Sequence, residues 1–340
     1  SVPLSFFGGI GGASRKGILI KGGNYMDALA HIDTVVLDKT GTLTQGTFAV
    51  EAIHPDSLSE KELLHLAAHV EHFSHHPIAV ALQGAYQHVG DGCTTNHVHE
   101  VVGKGIVADV NGHRVAVGNE RMMEAEGATL HPCKRCEGHA GTVVHVAIDG
   151  RYAGHVVISD QVKADASEAL RALRQLGVKQ TVMLTGDKEA VARQVAQQVG
   201  IDSYAAELLP ADKVDRVERL IQQQSQEKGA LAFVGDGIND APVLARADVG
   251  IAMGAMGSDA AIDAADVVLM DDKPSKIAEA IRIARRTIAN ARQNVIFAIV
   301  VKALVLLLAS VGVATMGMAV FADVGVMVLC VLNSMRTLRV

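Results

Sequence analysis

Two kinds of apolar pattern run along the chain. Near its far end, residues 295–313 (VIFAIVVKALVLLLASVGV) are apolar or small except for Lys302 and Ser310. Residues 318–335 repeat the pattern, interrupted by Asp323, Asn333 and Ser334, and a short break, ATMG, lies between the runs. Each run approaches the roughly 20 residues that carry a helix across a bilayer. Arg285, Arg286 and Arg292 precede the first, Arg336 and Arg339 follow the second, and the break has no positive charge. That bias predicts a membrane hairpin with both ends cytosolic. At the other end, SVPLSFFGGIGG is apolar and stops at Ser14, Arg15 and Lys16. It is too short to cross a bilayer, and its charges follow the apolar part, the reverse of a signal peptide. It reads as the tail of a membrane helix.

Between these ends the pattern changes to strand–helix alternation. TVVLD (34–38), VVHVAI (143–148), VKQTVMLTGD (178–187) and GALAFVGDG (229–237) read as buried strands. DASEALRALRQL (165–176) and KEAVARQVAQQVG (188–200) read as helices between them. Such alternation predicts an α/β fold with a parallel sheet and right-handed crossovers. Ligands of these sheets sit at the carboxyl ends of the strands.

Composition refines the picture in three places. Fourteen of the fifteen histidines lie between His54 and His155, which marks that block as a domain inserted after TVVLDKTGT. The four cysteines, Cys93, Cys133, Cys136 and Cys330, are too scattered for a disulfide framework, so a reducing compartment is expected. A net charge of −6 gives no reason to expect a nucleic-acid partner.

Asp38-Lys39-Thr40-Gly41-Thr42 follows the first apolar strand. A carboxylate at a strand end, with a glycine turn behind it, can face a phosphate nested among backbone N–H groups. It is also a competent nucleophile toward phosphorus, giving an acyl phosphate. Its partners would be Thr185-Gly186-Asp187, Lys213 and the run from Gly235 and Asp236 to Asn239 and Asp240, each at or just past a predicted strand end. Thr185 and Lys213 suit phosphate oxygens, and Asp236 with Asp38 suits Mg²⁺, which takes carboxylate and phosphate oxygens. Neutralising the charge of the transferred phosphoryl group is the main catalytic task.

DKTGTLT, TGD and GDGIND, in this order and spacing, resemble the P-type ATPases, and the resemblance covers essentially the whole chain. It implies a haloacid-dehalogenase-like phosphorylation domain with an inserted α+β nucleotide-binding domain, plus transmembrane helices. The expected boundaries are 1–27 for the end of a membrane helix and stalk, 28–47 and 157–280 for the phosphorylation domain, 48–156 for the insertion and 281–340 for the hairpin. The resemblance makes Asp38 the phosphorylated residue, with Thr40 and Asp236 helping to bind Mg²⁺ and Lys213 contacting the phosphate. Lys39, Thr185, Gly186, Asp187, Asn239 and Asp240 complete the site. Phosphatases of the same fold carry a second Asp two residues after the nucleophile, where this chain has Thr40. Without that acid–base group the aspartyl phosphate should hydrolyse slowly.

Within the insertion, Ser74-His75-His76-Pro77, Glu71, Gly103-Lys104-Gly105 and Gly118-Asn119 resemble the nucleotide-binding domain of the heavy-metal branch of that family. The resemblance implies that Glu71, His76, Gly103, Gly105 and Asn119 hold the adenosine part of ATP. His65, His69 and His72 share one helix face, and a solvated face is the expected reading. Cys133 and Cys136 form a single CxxC, a weak zinc signal expected in a surface loop. Asp160 is expected to cap the following helix.

The remaining puzzle is VFADVGVMVL (320–329). A carboxylate at mid-membrane costs roughly 2.5–3.5 kcal/mol, and a lysine similar, so Asp323 and Lys302 point to a substrate path. Counted from a turn near Thr315 at about 1.5 Å per residue, Lys302 lies about 20 Å deep and Asp323 about 12 Å, so contact needs helix offset or the lysine stem. Asp323-Val324-Gly325 after a helix bearing Lys302 resembles the zinc-, cadmium- and lead-exporting branch. A hard carboxylate also suits Zn²⁺ or Cd²⁺ better than Cu⁺. The resemblance thus implies ATP-driven export of Zn²⁺, Cd²⁺ or Pb²⁺ through an aspartyl phosphate, with Asp323 as ion ligand and Lys302 as its counter-charge. It also implies a multi-pass protein of the cell membrane, in contact with lipid, with its catalytic domains in the cytoplasm. A preceding Cys-Pro-Cys, an actuator domain and earlier helices would then belong to a missing N-terminal part. The alternatives are a copper exporter, disfavoured by Asp323, and a membrane-tethered phosphatase, disfavoured by Thr40.

Overall fold

The structure, a computed structural model, describes residues 2–74, 76–86, 92–131, 133, 141–224, 229–236, 240–254, 259–313 and 315–339. His75, Cys136 and Asn239, named above, lie outside the described residues. The chain divides into two compact units, Ser1–Leu43 with Lys163–Val340, and Thr44–Val162.

The first unit is built on a seven-stranded sheet. Its order is β1 (Ile18–Ile20), β13 (Val267–Leu269), β12 (Val249–Met253), β11 (Ala230–Gly235), β2 (Ile32–Asp38), β9 (Gln180–Leu184), β10 (Ser203–Ala205). Every neighbouring pair is parallel except β1 with β13. Every residue of β2 and β11 is buried. Near-continuous apolar runs such as IDTVVLD and ALAFVG are what a strand covered on both faces requires. The helices of this unit are α1 (Val2–Ser14), α2 (Gly23–Ala30), α6 (Ala166–Gln175), α7 (Glu189–Val199), α8 (Pro210–Gln224), α9 (Ala241–Leu244), α10 (Asp259–Ala264), α11 (Ser275–Ser310) and α12 (Met316–Ser334). The two helices read from the sequence are α6 and α7.

The second unit holds a six-stranded antiparallel sheet in the order β3 (Thr44–Pro55), β8 (Arg151–Val162), β7 (Thr142–Ile148), β6 (His113–Gly118), β5 (Gly105–Val110), β4 (Thr95–Val101). Helices α3 (Glu60–Glu71) and α4 (Pro77–Ala85) cover one face through a core that includes Leu63, Val70, Leu82, Val117, Val146 and Ile158. Helix α5 (Glu120–Ala125) packs elsewhere, through Met122 and Met123 against Ala116, Ala147 and Tyr152. VVHVAI, grouped above with the strands of the parallel sheet, is β7 of this second sheet. An apolar run records burial but not which sheet buries it. Asp160 caps no helix. It lies in β8 and accepts a hydrogen bond from Thr44 Oγ1 at 2.5 Å, which joins the entering and leaving strands of the unit.

Helices α11 and α12 are long and apolar enough to cross a membrane. Ile296, Ile299, Leu306, Phe321, Met327 and Leu332 point outward. The first turns of α11 pack instead against the core of the first unit. Arg285, expected only as flanking charge, donates to the carbonyls of Ala30 at 3.1 Å and Ile32 at 3.3 Å, and to that of Leu176. Helix α1 packs closely on α11 because its glycines leave room. A Cβ on Gly9 would collide with Thr287, and one on Gly12 would lie 2.7 Å from the Thr337 carbonyl. Small residues play this part wherever helices approach within a bilayer. Beside them, Ser5, Asn290, Asn294 and Ser334 form a buried hydrogen-bonded cluster that ties α1, α11 and α12 together.

Candidate active site

Parallel register brings the acidic motifs together. Asp38 is the last residue of β2 and stands opposite Leu184 of β9, one residue before Thr185. On the other side, Leu37 pairs with Val234 of β11, two residues before Asp236. Three separated motifs therefore meet at the carboxyl ends of three adjacent strands. The turn after Asp38 depends on Gly41, whose φ is +72°, and a Cβ there would collide with the Asp236 carboxylate. Glycine is demanded by both conformation and space.

Lys213 reaches in from α8. Its Nζ lies 2.5 Å from Asp38 Oδ1 and 3.0 Å from Asp240 Oδ1. Oxygens of Asp38, Asp236 and Asp240 lie within 4.8 Å of one another. Burial, and then repulsion from Asp240, push the Asp38 carboxyl up to about 7, although Lys213 partly opposes them. Burial followed by Asp240 also raises Asp236, against the pull of Lys163. Burial disfavours the Lys213 ammonium, yet Asp38 and Asp240 outweigh it and hold its pKa above the usual lysine range. The cluster is short of positive charge, and its donors are all hard oxygens. That donor set fits Mg²⁺.

The other predicted residues surround this centre. Lys39 is buried and pairs with Asp187 at 2.7 Å. Thr185 Oγ1 accepts from the Asp187 backbone N–H at 3.1 Å, which closes the turn containing Gly186. Thr40 is exposed on the same turn as Gly41. Lys163, which the sequence analysis does not single out, lies behind this turn. Its buried ammonium donates to the Gly41 carbonyl at 2.5 Å and to Asp272 at 2.7 Å, so it braces the turn behind the nucleophile. A lone lysine between a strand and a helix gave no signal of this contact.

In the second unit, a cavity of about 350 Å³ is lined by Glu71, His76, Gly103, Gly105 and Asn119, together with residues of β7. Its volume lies within the range of small-molecule sites. His76 is the N-cap of α4, and its Nδ1 accepts from the Ile78 backbone N–H at 3.3 Å. That bond leaves the ring proton on Nε2 as a donor. Asn119 Nδ2 donates to the Gly103 carbonyl at 2.9 Å and so shapes the glycine loop. Burial, with Glu100 nearby, raises the Glu71 carboxyl to about 7.

The same unit departs from the sequence reading at its histidines. His65 is half-buried rather than solvated. Its ring nitrogens lie 2.8 Å from the Tyr86 hydroxyl and 3.0 Å from Cys93 Sγ. In the apolar hairpin, Lys302 Nζ stands 2.8 Å from Asp323 Oδ1. Helix α11 ends at Ser310 and α12 begins at Met316, so the two residues are nearly level and the expected difference in depth is not found.

Residues 32–248 match the haloacid dehalogenase-like hydrolase family, and the chain belongs to it. Along 99% of its length it is similar to the zinc-transporting ATPase of Synechocystis, with 53% identity over 338 residues and 46% of that protein covered. It is 51% identical over 340 residues to the cadmium, zinc and cobalt-transporting ATPase of Bacillus subtilis, covering 48% of it. A crystal structure of a zinc-transporting PIB-type ATPase in the E2.Pi state superposes with a TM-score of 0.88 at 38% identity, over 99% of this chain and 55% of that one. The chain spans about half the length of the curated relatives it matches.

Proposed function

We propose that the chain is the C-terminal part of a P-type ATPase that exports divalent heavy-metal ions, Zn²⁺, Cd²⁺ or Pb²⁺, across the cell membrane. In this reading the hairpin lies among lipid, the catalytic units are cytoplasmic, and an actuator domain and earlier helices complete the protein. The observation that carries the reading is the Asp38–Lys213–Asp236–Asp240 cluster, in one chain with an ion pair, Lys302–Asp323, on two apolar helices.

ATP binds through its adenosine in the cavity of the second unit, with His76 Nε2–H as a donor, the Glu71 carboxyl as a hydrogen-bonding partner and the Gly103–Gly105 loop giving close backbone approach. One Asp38 oxygen attacks the γ-phosphorus, the bond to the bridging oxygen breaks, and ADP leaves with its electron pair. Lys213 orients the nucleophile and offsets charge on the phosphoryl oxygens, while Thr185 offers them a hydroxyl. Asp38, Asp236 and Thr40 would hold Mg²⁺, which would supply charge neutralisation on the transferring phosphoryl group. Lys163 and Gly41 keep the turn in place. Thr40 supplies no acid–base group, so the aspartyl phosphate persists long enough to drive movement.

Asp323 serves as a ligand of the transported ion, and Lys302 neutralises it when the ion has left. The test uses the full-length protein. Asp323→Ala should lose metal-stimulated turnover and one bound Zn²⁺ or Cd²⁺ while binding ATP normally. Lys302→Ala should keep the metal and slow its release. Full metal stoichiometry and turnover in Asp323→Ala would reduce the carboxylate to a structural partner of Lys302.

A further inference from the structure

The histidine-rich unit holds a second group of metal-competent side chains that the phosphorylation chemistry does not use. His54 of β3 and His155 of β8 are direct partners across antiparallel strands. Their rings lie 5.1 Å apart, and the residues are only 8% and 4% exposed. Cys133, from the segment that precedes β7, joins them. One ligand atom from each of His54, Cys133 and His155 lies within 4.8 Å of the other two. We propose that these three side chains form a binding site for Zn²⁺ or Cd²⁺ that fastens the Cys133 segment to strands β3 and β8.

The donor chemistry selects the ion. Two imidazoles and a thiolate, with no carboxylate, suit a borderline-soft cation and not Mg²⁺. Bonds of about 2.0–2.3 Å at tetrahedral angles place ligand atoms roughly 3.3–3.8 Å apart, so atoms lying within 4.8 Å of one another need to close by at most about 1.5 Å. The surroundings are arranged as ligand supports usually are. The Tyr152 hydroxyl lies 2.9 Å from His155 Nδ1 and 3.0 Å from His145 Nδ1. With Nδ1 so engaged, Nε2 is the ligating nitrogen of His155, and the ring orientation is fixed before the ion arrives. His131, two residues before Cys133, lies 3.3 Å from Asp56 just beyond β3, which already holds that segment near the site. The other cluster in this unit, His65 with His69 and Cys93, is more exposed. There Cys93 Sγ is engaged by His65 and by Asn111 Nδ2 at 3.0 Å.

The CxxC alone was too weak to suggest this site because its other ligands are distant in sequence. His54 precedes Cys133 by 79 positions and His155 follows it by 22. Only the pairing of the first and last strands of the unit brings them together.

The test loads the metal-free 340-residue chain with Co²⁺ and records the thiolate-to-cobalt charge-transfer band, then displaces Co²⁺ with Zn²⁺ and counts equivalents against a chromogenic chelator. Cys133→Ser should remove the band and one equivalent of tightly bound Zn²⁺. His54→Gln and His155→Gln should weaken binding and alter the ligand-field bands. Cys93→Ser should leave the signal in place. Cys133 is only partly buried in a connecting segment, so Cys133→Ser keeps the test decisive even where a buried histidine variant fails to fold. A band and stoichiometry unchanged in Cys133→Ser, or lost equally in Cys93→Ser alone, would overturn the assignment. The readout needs neither ATP turnover nor transport, so it stands or falls separately from the exporter reading.

Discussion

Asp38 is buried and sits among more negative charge than Lys213 can balance, and together these have a measurable consequence in the metal-free chain. Its folded pKa of about 7 lies above the ordinary 3.8, so the folded state holds the proton more tightly. Stability should therefore fall as pH rises from about 4 to 7 and level off above that. Asp38→Asn should make this slope shallower, leaving the part due to Glu71 and Asp236, and stabilise the chain at pH 8 by up to about 3–4 kcal/mol. Denaturation in a chelating buffer at pH 5 and pH 8 would show it, and equal slopes in both proteins would contradict the charge imbalance. His76 makes a second residue-scale case. As N-cap it holds the Ile78 N–H and keeps Nε2–H for a ligand. His76→Ala should weaken ATP binding by about 1–2 kcal/mol in calorimetry, and unchanged affinity would remove it from the site. Asp38 and Asp236 were nominated from sequence because their motifs are contiguous and end predicted strands, whereas Lys213 was expected just past a strand end and lies instead in α8. Lys163 and the His54–Cys133–His155 group were not legible, because each depends on contacts between distant segments.

At the scale of elements, the apolar strands β2, β9 and β11 and the amphipathic helices α6 and α7 were readable because burial writes a period into the chain, although β12, equally buried, was not read. The three-residue strands β1, β10 and β13 were not, since three positions carry no period. β7 was recognised as a strand and placed in the wrong sheet. The inserted unit begins at Thr44 and ends at Val162, where composition suggested 48–156. Strands β3 and β8 pair from Thr44 with Val162 to Pro55 with Gly154, across two register shifts, so the unit's ends lie at paired strand ends that composition does not mark. Helix α1 offers an element-scale test. Gly9→Val would press two methyl groups against Thr287, an overpacking that typically costs about 1–3 kcal/mol. The variant should melt earlier in detergent and lose protection of α1 from proteolysis. Behaviour like the wild type would mean that the close approach of α1 to α11 contributes little.

At the scale of the molecule, one chain joins a unit built on the parallel sheet, an inserted unit with a cavity of about 350 Å³, and a hairpin able to cross a membrane. Helix α11 is continuous from the core of the first unit, where Arg285 donates to the carbonyls of Ala30 and Ile32, to the apolar half that carries Lys302. In the proposed reading, a change at Asp38 would reach the ion pair through this helix rather than a flexible linker. The resemblance read from DKTGTLT, TGD and GDGIND agrees with relatives similar along the whole chain, whereas the partnership of Lys302 with Asp323 needed coordinates. The most direct measurement of the central claim is labelling of the full-length protein with γ-labelled ATP, Mg²⁺ and Zn²⁺, followed by acid quench. The wild type should yield a metal-stimulated, acid-stable phosphoprotein and Asp38→Asn none. Labelling of Asp38→Asn at the wild-type level would contradict the assignment of Asp38 as the phosphorylated residue.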